Sequence, residues 1–490
     1  MVTPNREKFL ELSAQNRPIP IVADMLADME TPLSTYWKLA HDAIHSFLLE
    51  SVTGGEQVAR YSFIGARPKS VLRSKNGQLT TKTPTSSVTT ALELGQDPLH
   101  ALAHAMPPPA VAMEGLPKLI GGAVGFLAYD FIRYLEEIGD STVDDLQMDD
   151  MAMMLCDEVV AFDHAKNLLR IIVLADPTPG GYDIAIARIE ATKARISSTP
   201  PPLPSLSTTA APVTANMTQA QFEANVSRAI EYISQGDGVQ MVPSQRFETS
   251  NQAHPVTLYR CLRSLNPSPY MFIYRFGDFD VVGASPELQV GLEGRVARVR
   301  PIAGTRWRGA DAAEDQRLAE ELLADEKERA EHVMLVDLGR NDLGRVCEYG
   351  SVKVGELMVV ERYSHVMHIV SEVTGTLRPD LDAFDLIRAT FPAGTVSGAP
   401  KIRAMQVIEE LEPTRRGLYA GAVGYISATG DLDTAIALRT VLLKNGKAYV
   451  QAGGGVVVDS DTTYEYNESC NKARAALRAI EMAHTGELFA

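Results

Sequence analysis

Cysteine is scarce in this chain: Cys156, Cys261, Cys347 and Cys470 are the four in 490 residues. No two form a CxxC pair and no histidine cluster accompanies them, which argues against a zinc site or a disulfide framework and for a reducing compartment. Basic residues are also short, with 46 Lys and Arg against 62 Asp and Glu, a net charge of −16 and a pI near 5.2. An acidic surface repels phosphate backbones and anionic lipid, so neither nucleic acid nor a membrane is an expected partner. No stretch reaches the ~18 consecutive apolar residues of a membrane span. The first residues, which include Glu7 and Glu11, carry neither the apolar core of a secretory signal nor the basic character of a transit peptide. A cytoplasmic location is expected. The GxxxxGK[ST] and GxGxxG nucleotide loops, the GxSxG elbow and the HExxH helix are all missing, which counts against P-loop, dinucleotide, serine-hydrolase and zincin chemistry.

The remaining composition is that of a globular protein, 45% apolar and 22% charged, in a chain long enough for a substantial core. Residues Thr199 to Ala215, TPPPLPSLSTTAAPVTA, are rich in Pro, Ser, Thr and Ala and carry no charge. Such a stretch buries little apolar surface and reads as a linker or long loop at 199–216, between an N-terminal region, 1–198, and a C-terminal region, 217–490. Both regions mix strands and helices. Glu158–Asp163 and Leu168–Leu174 read as a hairpin, as do Arg439–Leu443 and Lys447–Gln451 around Asn445-Gly446. Asp280–Ala284, Leu288–Leu292 and Val296–Val299 read as a meander with a turn at Glu293-Gly294. Thr218 and Gln221 form a capping box ahead of a helix, a long charged helix is predicted from about Asp315 to Leu338, and another from about Thr462 to Met482. Gly122-Ala-Val-Gly-Phe126 echoes Gly421-Ala-Val-Gly-Tyr425, which suits two related layers.

Two glutamate pairs stand out, Glu328/Glu331 and Glu465/Glu468, each spaced i,i+3 so that both carboxylates share one helix face. A bare ExxE is ordinarily a solvated charged face. Four converging carboxylates would repel unless a cation lay between them, and an all-oxygen set suits Mg²⁺. Three Gly- and Pro-punctuated loops, 301–306, 391–401 and 451–456, could present backbone N–H groups to an anion, although turn chemistry alone explains each. His368 lies in a half-apolar strand pattern, where a histidine is more often a satisfied core residue than a catalyst. Arg439 closes an apolar run, and an arginine there pairs with a carboxylate of the protein or of a ligand.

Taken together and in order, SPE at 285–287, PIAGTR at 301–306, KERAEHVMLVDLGRND at 327–342, ERYSHVMH at 361–368, GTVSGAPK at 394–401 and ESCNKARA at 468–475 resemble the chorismate-utilising enzymes, in particular their anthranilate-forming branch. The resemblance covers about 20–175 and 218–480. It implies an α+β fold of large, mostly antiparallel sheets in a two-lobed β-sandwich with helices packed outside. It also implies a Mg²⁺-dependent lyase that converts chorismate and ammonia to anthranilate and pyruvate through aminodeoxyisochorismate, the first step toward tryptophan. Aminodeoxychorismate synthesis for folate is the alternative within the family, and a catalytically silent binding subunit is the alternative outside it.

By the same resemblance, Glu331 and Glu468 would bind Mg²⁺ directly, with Glu328 and Glu465 holding its waters. Arg439, Tyr419 and the backbone of Gly453, Gly454 and Gly455 would hold the enolpyruvyl carboxylate, with Lys472 nearer the metal. Glu287 would be the general acid, its pKa raised by burial or by neighbouring carboxylates. His368 and Thr395 would position the substrate, His368 assisting pyruvate elimination. Gln240 stands where water-using relatives carry a lysine, and Ala303 where aminodeoxychorismate synthases typically carry one; Trp307 stands where the family usually has proline. Glu50, Ser51, Asn266, Pro267, Tyr270, Met271 and Phe272 would form a feedback site for tryptophan. None of the four cysteines sits in a glutaminase setting, so ammonia would come from a separate glutamine amidotransferase subunit, in a heterotetramer.

Overall fold

The computed structural model describes residues 2–52, 60–205, 208–363 and 366–487. Leu206 and Ser207 of the Pro-rich segment, and Ser364 and His365 of the ERYSHVMH stretch, lie outside the described residues.

Apolar runs, most of them buried along nearly their whole length, assemble two large sheets in which every ladder among the described residues is antiparallel. A 12-stranded sheet places Ser46–Glu50 beside Tyr270–Arg275, then Phe279–Ser285, Thr440–Lys444, Lys447–Gly453 and Ser244–Ser250. An 11-stranded sheet places Gly122–Leu127 beside Ala422–Ser427, then Leu432–Ile436, Leu288–Glu293 and Val296–Val299. Both sheets therefore take strands from either side of the Pro-rich segment. Their facing surfaces share one core, in which Phe47, Phe272 and Tyr274 of the first sheet meet Phe126, Val423 and Tyr425 of the second. The outer face of the first sheet carries the Pro255–Leu265 and Thr462–Thr485 helices, and that of the second carries Glu326–Gly344 and Ala383–Thr390. This is a β-sandwich with helices outside, because each sheet has two apolar faces and each helix one.

Both hairpins form as read. Glu158–Asp163 pairs with Leu168–Ala175, and Asn445 and Gly446 turn with φ of 52° and 72°, the left-handed pair that a two-residue turn requires. The meander does not form as read. Leu288–Glu293 pairs with Val296–Val299, but Phe279–Ser285 belongs to the other sheet, so the chain changes sheets at Ser285-Pro286-Glu287. The echoed glycine segments are neighbouring strands of one sheet rather than two layers. Gly125 lies opposite Gly424, and a Cβ at either would come within 2.0 or 2.1 Å of a carbonyl oxygen on the adjoining strand.

The long charged helix is two. Ala312–Ala324 ends and Glu326–Gly344 begins at Asp325, whose extended backbone breaks the spiral and whose carboxylate accepts from the amides of Lys327 and Glu328. The predicted capping box at Thr218 and Gln221 is present, and the last helix spans Thr462–Thr485. The Pro-rich segment is laid on the fold: Trp37 Nε1 donates to Pro201 O at 2.8 Å, Thr257 Oγ1 to Pro204 O at 2.8 Å, and Thr214–Ala215 joins the edge of the first sheet.

Candidate active site

The sheet change sets Glu287 between layers. It is 4% exposed, Oε1 accepts from Thr395 Oγ1 at 2.7 Å, and the carboxyl also accepts from the amide of Ile302. Those donors pull its pKa down, but burial is the larger effect and pushes it up to about 8. Of the two causes expected from sequence, burial is at work here. Thr395 sits in the short turn Gly394–Val396, pressed onto the Glu326–Gly344 helix where Gly394 leaves no room for a Cβ: Leu338 Cδ2 would be 2.1 Å away.

The glutamate pairs meet at the glycine run that ends the Lys447–Gly453 strand. A Cβ on Gly454 would lie 2.7 Å from Glu465 Oε2 and 3.0 Å from Glu468 Oε2, and one on Gly455 would lie 3.5 Å from Glu331 Oε1. Two helices far apart in sequence thus direct carboxylates at adjacent glycines. Glu328 borders the same space: its carboxylate receives Arg306 at 3.4 Å, and Tyr464 senses the charges of Glu468, Glu465 and Glu328 together. Burial and Glu331 raise the pKa of Glu328. Burial raises Glu465 to about 7, opposed by Ser460 Oγ donating to its Oε1 at 2.8 Å.

Among the described residues, no three His, Cys, Asp or Glu side chains come close enough together to hold a metal ion by themselves. The donor set still fits Mg²⁺. That ion takes few carboxylates and keeps several waters, and Glu465 Oε2 is buried with no donor and faces the Glu468 carboxylate, a pair of acceptors that calls for a cation, its water or a shared proton. Gln240 Nε2 donates to Glu331 Oε1 at 2.9 Å. Lys472 Nζ lies 2.9 Å from Glu468 Oε1 and donates to Gly453 O at 3.1 Å, which places it against this group.

His368 is 8% exposed. Its Nδ1 lies 2.8 Å from Gly304 O. A carbonyl only accepts, so Nδ1 carries the proton and Nε2 keeps its lone pair in the neutral ring. Burial, with Arg439 nearby, lowers its pKa and favours that neutral form. Arg439 adopts a positive φ of 48°, and its guanidinium donates to the side-chain oxygen of Asn266 at 3.3 Å. Burial alone lowers its pKa, with no carboxylate among the described residues opposing. Tyr419 is buried, accepts from the Gly453 amide, and is raised to about 12 by burial in spite of the Arg416 charge.

A second space lies between the sheets, a cavity of about 510 Å³ lined by Glu50, Ser51, Tyr270, Met271, Phe272, Val423, Tyr425 and Asp433. Pro269 lines it, whereas Asn266 and Pro267 do not. Glu50 lines it with its carboxylate already engaged: Arg263 donates to both oxygens at 2.9 and 3.0 Å, and Tyr259 donates at 2.6 Å. Asp433 Oδ1 is buried there without a partner. Pro286 and Ile302, which flank and hold Glu287, also line this cavity. Trp307, three-quarters exposed, extends the small sheet opposite Val366. Sequence reasoning missed Ser460, Asp433 and Arg416, and within Asn266–Phe272 it chose Pro267 where Pro269 lines the cavity. A proline two residues from another, or the second of two arginines, carries no mark of which one faces inward.

The family description "chorismate binding enzyme" matches residues 44–478. Anthranilate synthase component 1 of Mycobacterium tuberculosis is 48% identical over 99% of this chain and 96% of its own. That of Pseudomonas aeruginosa is 48% identical over 98% and 99%. Among solved structures, anthranilate synthase component I from Streptococcus pneumoniae superposes with a TM-score of 0.76 at 41% identity, covering 86% of this chain and 92% of that one. The menaquinone-specific isochorismate synthase of Escherichia coli shares the fold, with a TM-score of 0.68 at 20% identity over 97% and 98% of the two chains.

Proposed function

The chain belongs to the family of chorismate binding enzymes, and we propose that within it this is the large, chorismate-converting component of an anthranilate synthase. Ammonia adds to C2 of chorismate as the C4 hydroxyl leaves as water, giving aminodeoxyisochorismate. Loss of the enolpyruvyl group as pyruvate then gives anthranilate, a lyase reaction. The observation that carries the reading is Glu287: a carboxylic acid that burial keeps protonated near pH 7, in reach of a hydroxyl donor that fixes its orientation. A protonated acid is what a departing hydroxide needs.

The rest of the chain divides the work. Arg439 and Tyr419 hold a substrate carboxylate; the guanidinium's neutral partner, Asn266, leaves its charge for a ligand to balance. Gln240, an amide bonded to Glu331, offers no base to activate water, which leaves ammonia as the nucleophile. His368, with its proton on Nδ1, has Nε2 to accept the proton lost during elimination. Glu331 and Glu468 would bind Mg²⁺ directly, with Glu328 and Glu465 holding its waters. When bound, the ion supplies positive charge against the ring carboxylate.

Regulation by tryptophan belongs to the same reading, with the inter-sheet cavity as its site. Ser51, Tyr270, Met271 and Phe272 supply its walls. Because Arg263 and Tyr259 occupy Glu50, the ligand's amino group falls to a second wall carboxylate, Asp433, whose Oδ1 is without a partner while Arg298 stands 3.8 Å from its Oδ2. A separate glutaminase subunit in a heteromer, and a cytoplasmic location, complete the proposal. All four cysteines are free thiols, and no described helix is long and apolar enough to cross a membrane. Incubation with chorismate, Mg²⁺ and ammonium tests the reading. Blue anthranilate fluorescence supports it, whereas aminodeoxychorismate without aromatic product, or unchanged chorismate, overturns it.

A further inference from the structure

Arg416 is a buried cation with no part in the chemistry above. Its side chain is 2% exposed. Nε and one terminal nitrogen meet the Glu412 carboxylate, the shortest contact being 2.7 Å. The other donors go to backbone: Nη1 to Val396 O at 2.7 Å and Nη2 to Val242 O at 2.6 Å. The guanidinium carbon stands 5.4 Å from the Tyr419 ring centre and 4.8 Å from that of Tyr129.

Each contact leads to a separate part of the site. Val396 follows Thr395, the donor to Glu287. Val242 lies two residues past Gln240, on the segment that runs to Ser244. Glu412 Oε1 in turn accepts from the amide and hydroxyl of Ser244 at 2.8 Å each, and Ser244 is registered opposite Gly453. Tyr419 is touched directly, and the positive charge behind its ring favours a more acidic, more strongly donating hydroxyl. Three segments that no single strand or helix joins thus converge on one planar, five-donor fork.

The geometry points to Arg416, paired with Glu412, as a positioning residue for chorismate. It fixes Tyr419 and the glycine run at the carboxylate end of the substrate relative to Thr395 at the acid end. The inference rests on the anthranilate synthase reading. A buried pair of this kind adds little to stability when replaced as a unit, while loss of one partner strands the other's charge, so the pair can be tested apart from folding.

The experiment compares wild type, Arg416→Lys and the double variant Arg416→Met/Glu412→Gln in the ammonium-dependent assay, with circular dichroism and thermal unfolding on each. The double variant is expected to keep its secondary structure and to raise KM for chorismate at least about tenfold, with kcat/KM falling further. Arg416→Lys, which keeps the charge but not the fork, is expected to fall between it and wild type. A merely structural role would lower kcat with the folded fraction and leave KM unchanged. That result in Arg416→Lys, or in the double variant, overturns the inference. Failure of wild type to convert chorismate would overturn the functional reading instead, and the inference with it.

Discussion

Thr395 donates its hydroxyl proton to Glu287 at 2.7 Å, yet Glu287 still titrates near pH 8. The bond favours the charged carboxylate, so burial outweighs it. Activity should fall as pH rises through about 8, where the acid loses its proton. Thr395→Val removes the opposing bond and should move that alkaline limb up by roughly one to two pH units, from the ~1.5–3 kcal/mol of a hydrogen bond to a charge. A limb that stays in place or moves down would contradict the assignment. The same group links stability to pH. Its folded pKa is raised, so its contribution is complete below about 4.5 and is lost as pH rises to about 8. Glu287→Gln should flatten that part of the unfolding curve.

Glu331→Gln and Glu468→Gln should each lower turnover by more than about 100-fold, the upper end of losses at outer-sphere partners. Titration of Mg²⁺ against thermal stability should show the wild-type transition rising and those of the variants unmoved. Because Glu465 is protonated below about pH 7, Mg²⁺ affinity should weaken as pH falls through that value. Near-native rates in either variant at limiting Mg²⁺ would remove the metal assignment.

Gly454→Ala probes the same place from the backbone. Its new methyl would meet Glu465 Oε2 at 2.7 Å and Glu468 Oε2 at 3.0 Å, and flexible carboxylates yield before a strand does. The variant should fold normally and bind Mg²⁺ at least tenfold more weakly by isothermal calorimetry. Unchanged affinity would show that those carboxylates do not need that space.

His368→Met should slow pyruvate elimination more than amination, so that aminodeoxyisochorismate accumulates and can be followed by chromatography of quenched reactions. Equal slowing of both steps would deny the histidine its separate role.

Tryptophan inhibition should be blunted about tenfold or more by Ser51→Phe, which fills the inter-sheet cavity, and by Asp433→Asn, which replaces a carboxylate oxygen of its wall by an amide donor. Inhibition unchanged in both variants would move the regulatory site elsewhere.

Local chemistry carried the sequence reading where structure is decided locally. The Asn445-Gly446 turn and the Thr218 capping box needed no partner to be recognised. Asp325 hides in a charged run, because a capping aspartate and a solvated one look alike until the backbone breaks. The sheet change at Pro286 is likewise invisible, since the strands on either side of it both read as short apolar runs and which sheet each joins is decided by residues far along the chain. The glutamate pairs were legible as types and spacings, and their convergence at Gly454 and Gly455 is a tertiary fact. Arg416 and Asp433 were not legible at all: what distinguishes them is the loss of water around them.

The interleaving of both halves within each sheet also shapes how the polypeptide is made. Ser46–Glu50 meets Tyr270–Arg275 only after everything between has left the ribosome, a wait of roughly ten to forty seconds at ordinary synthesis rates. During that interval a nascent apolar strand has its edge open to other chains. Chaperone capacity, more than final stability, should therefore set the yield of this enzyme when it is overproduced.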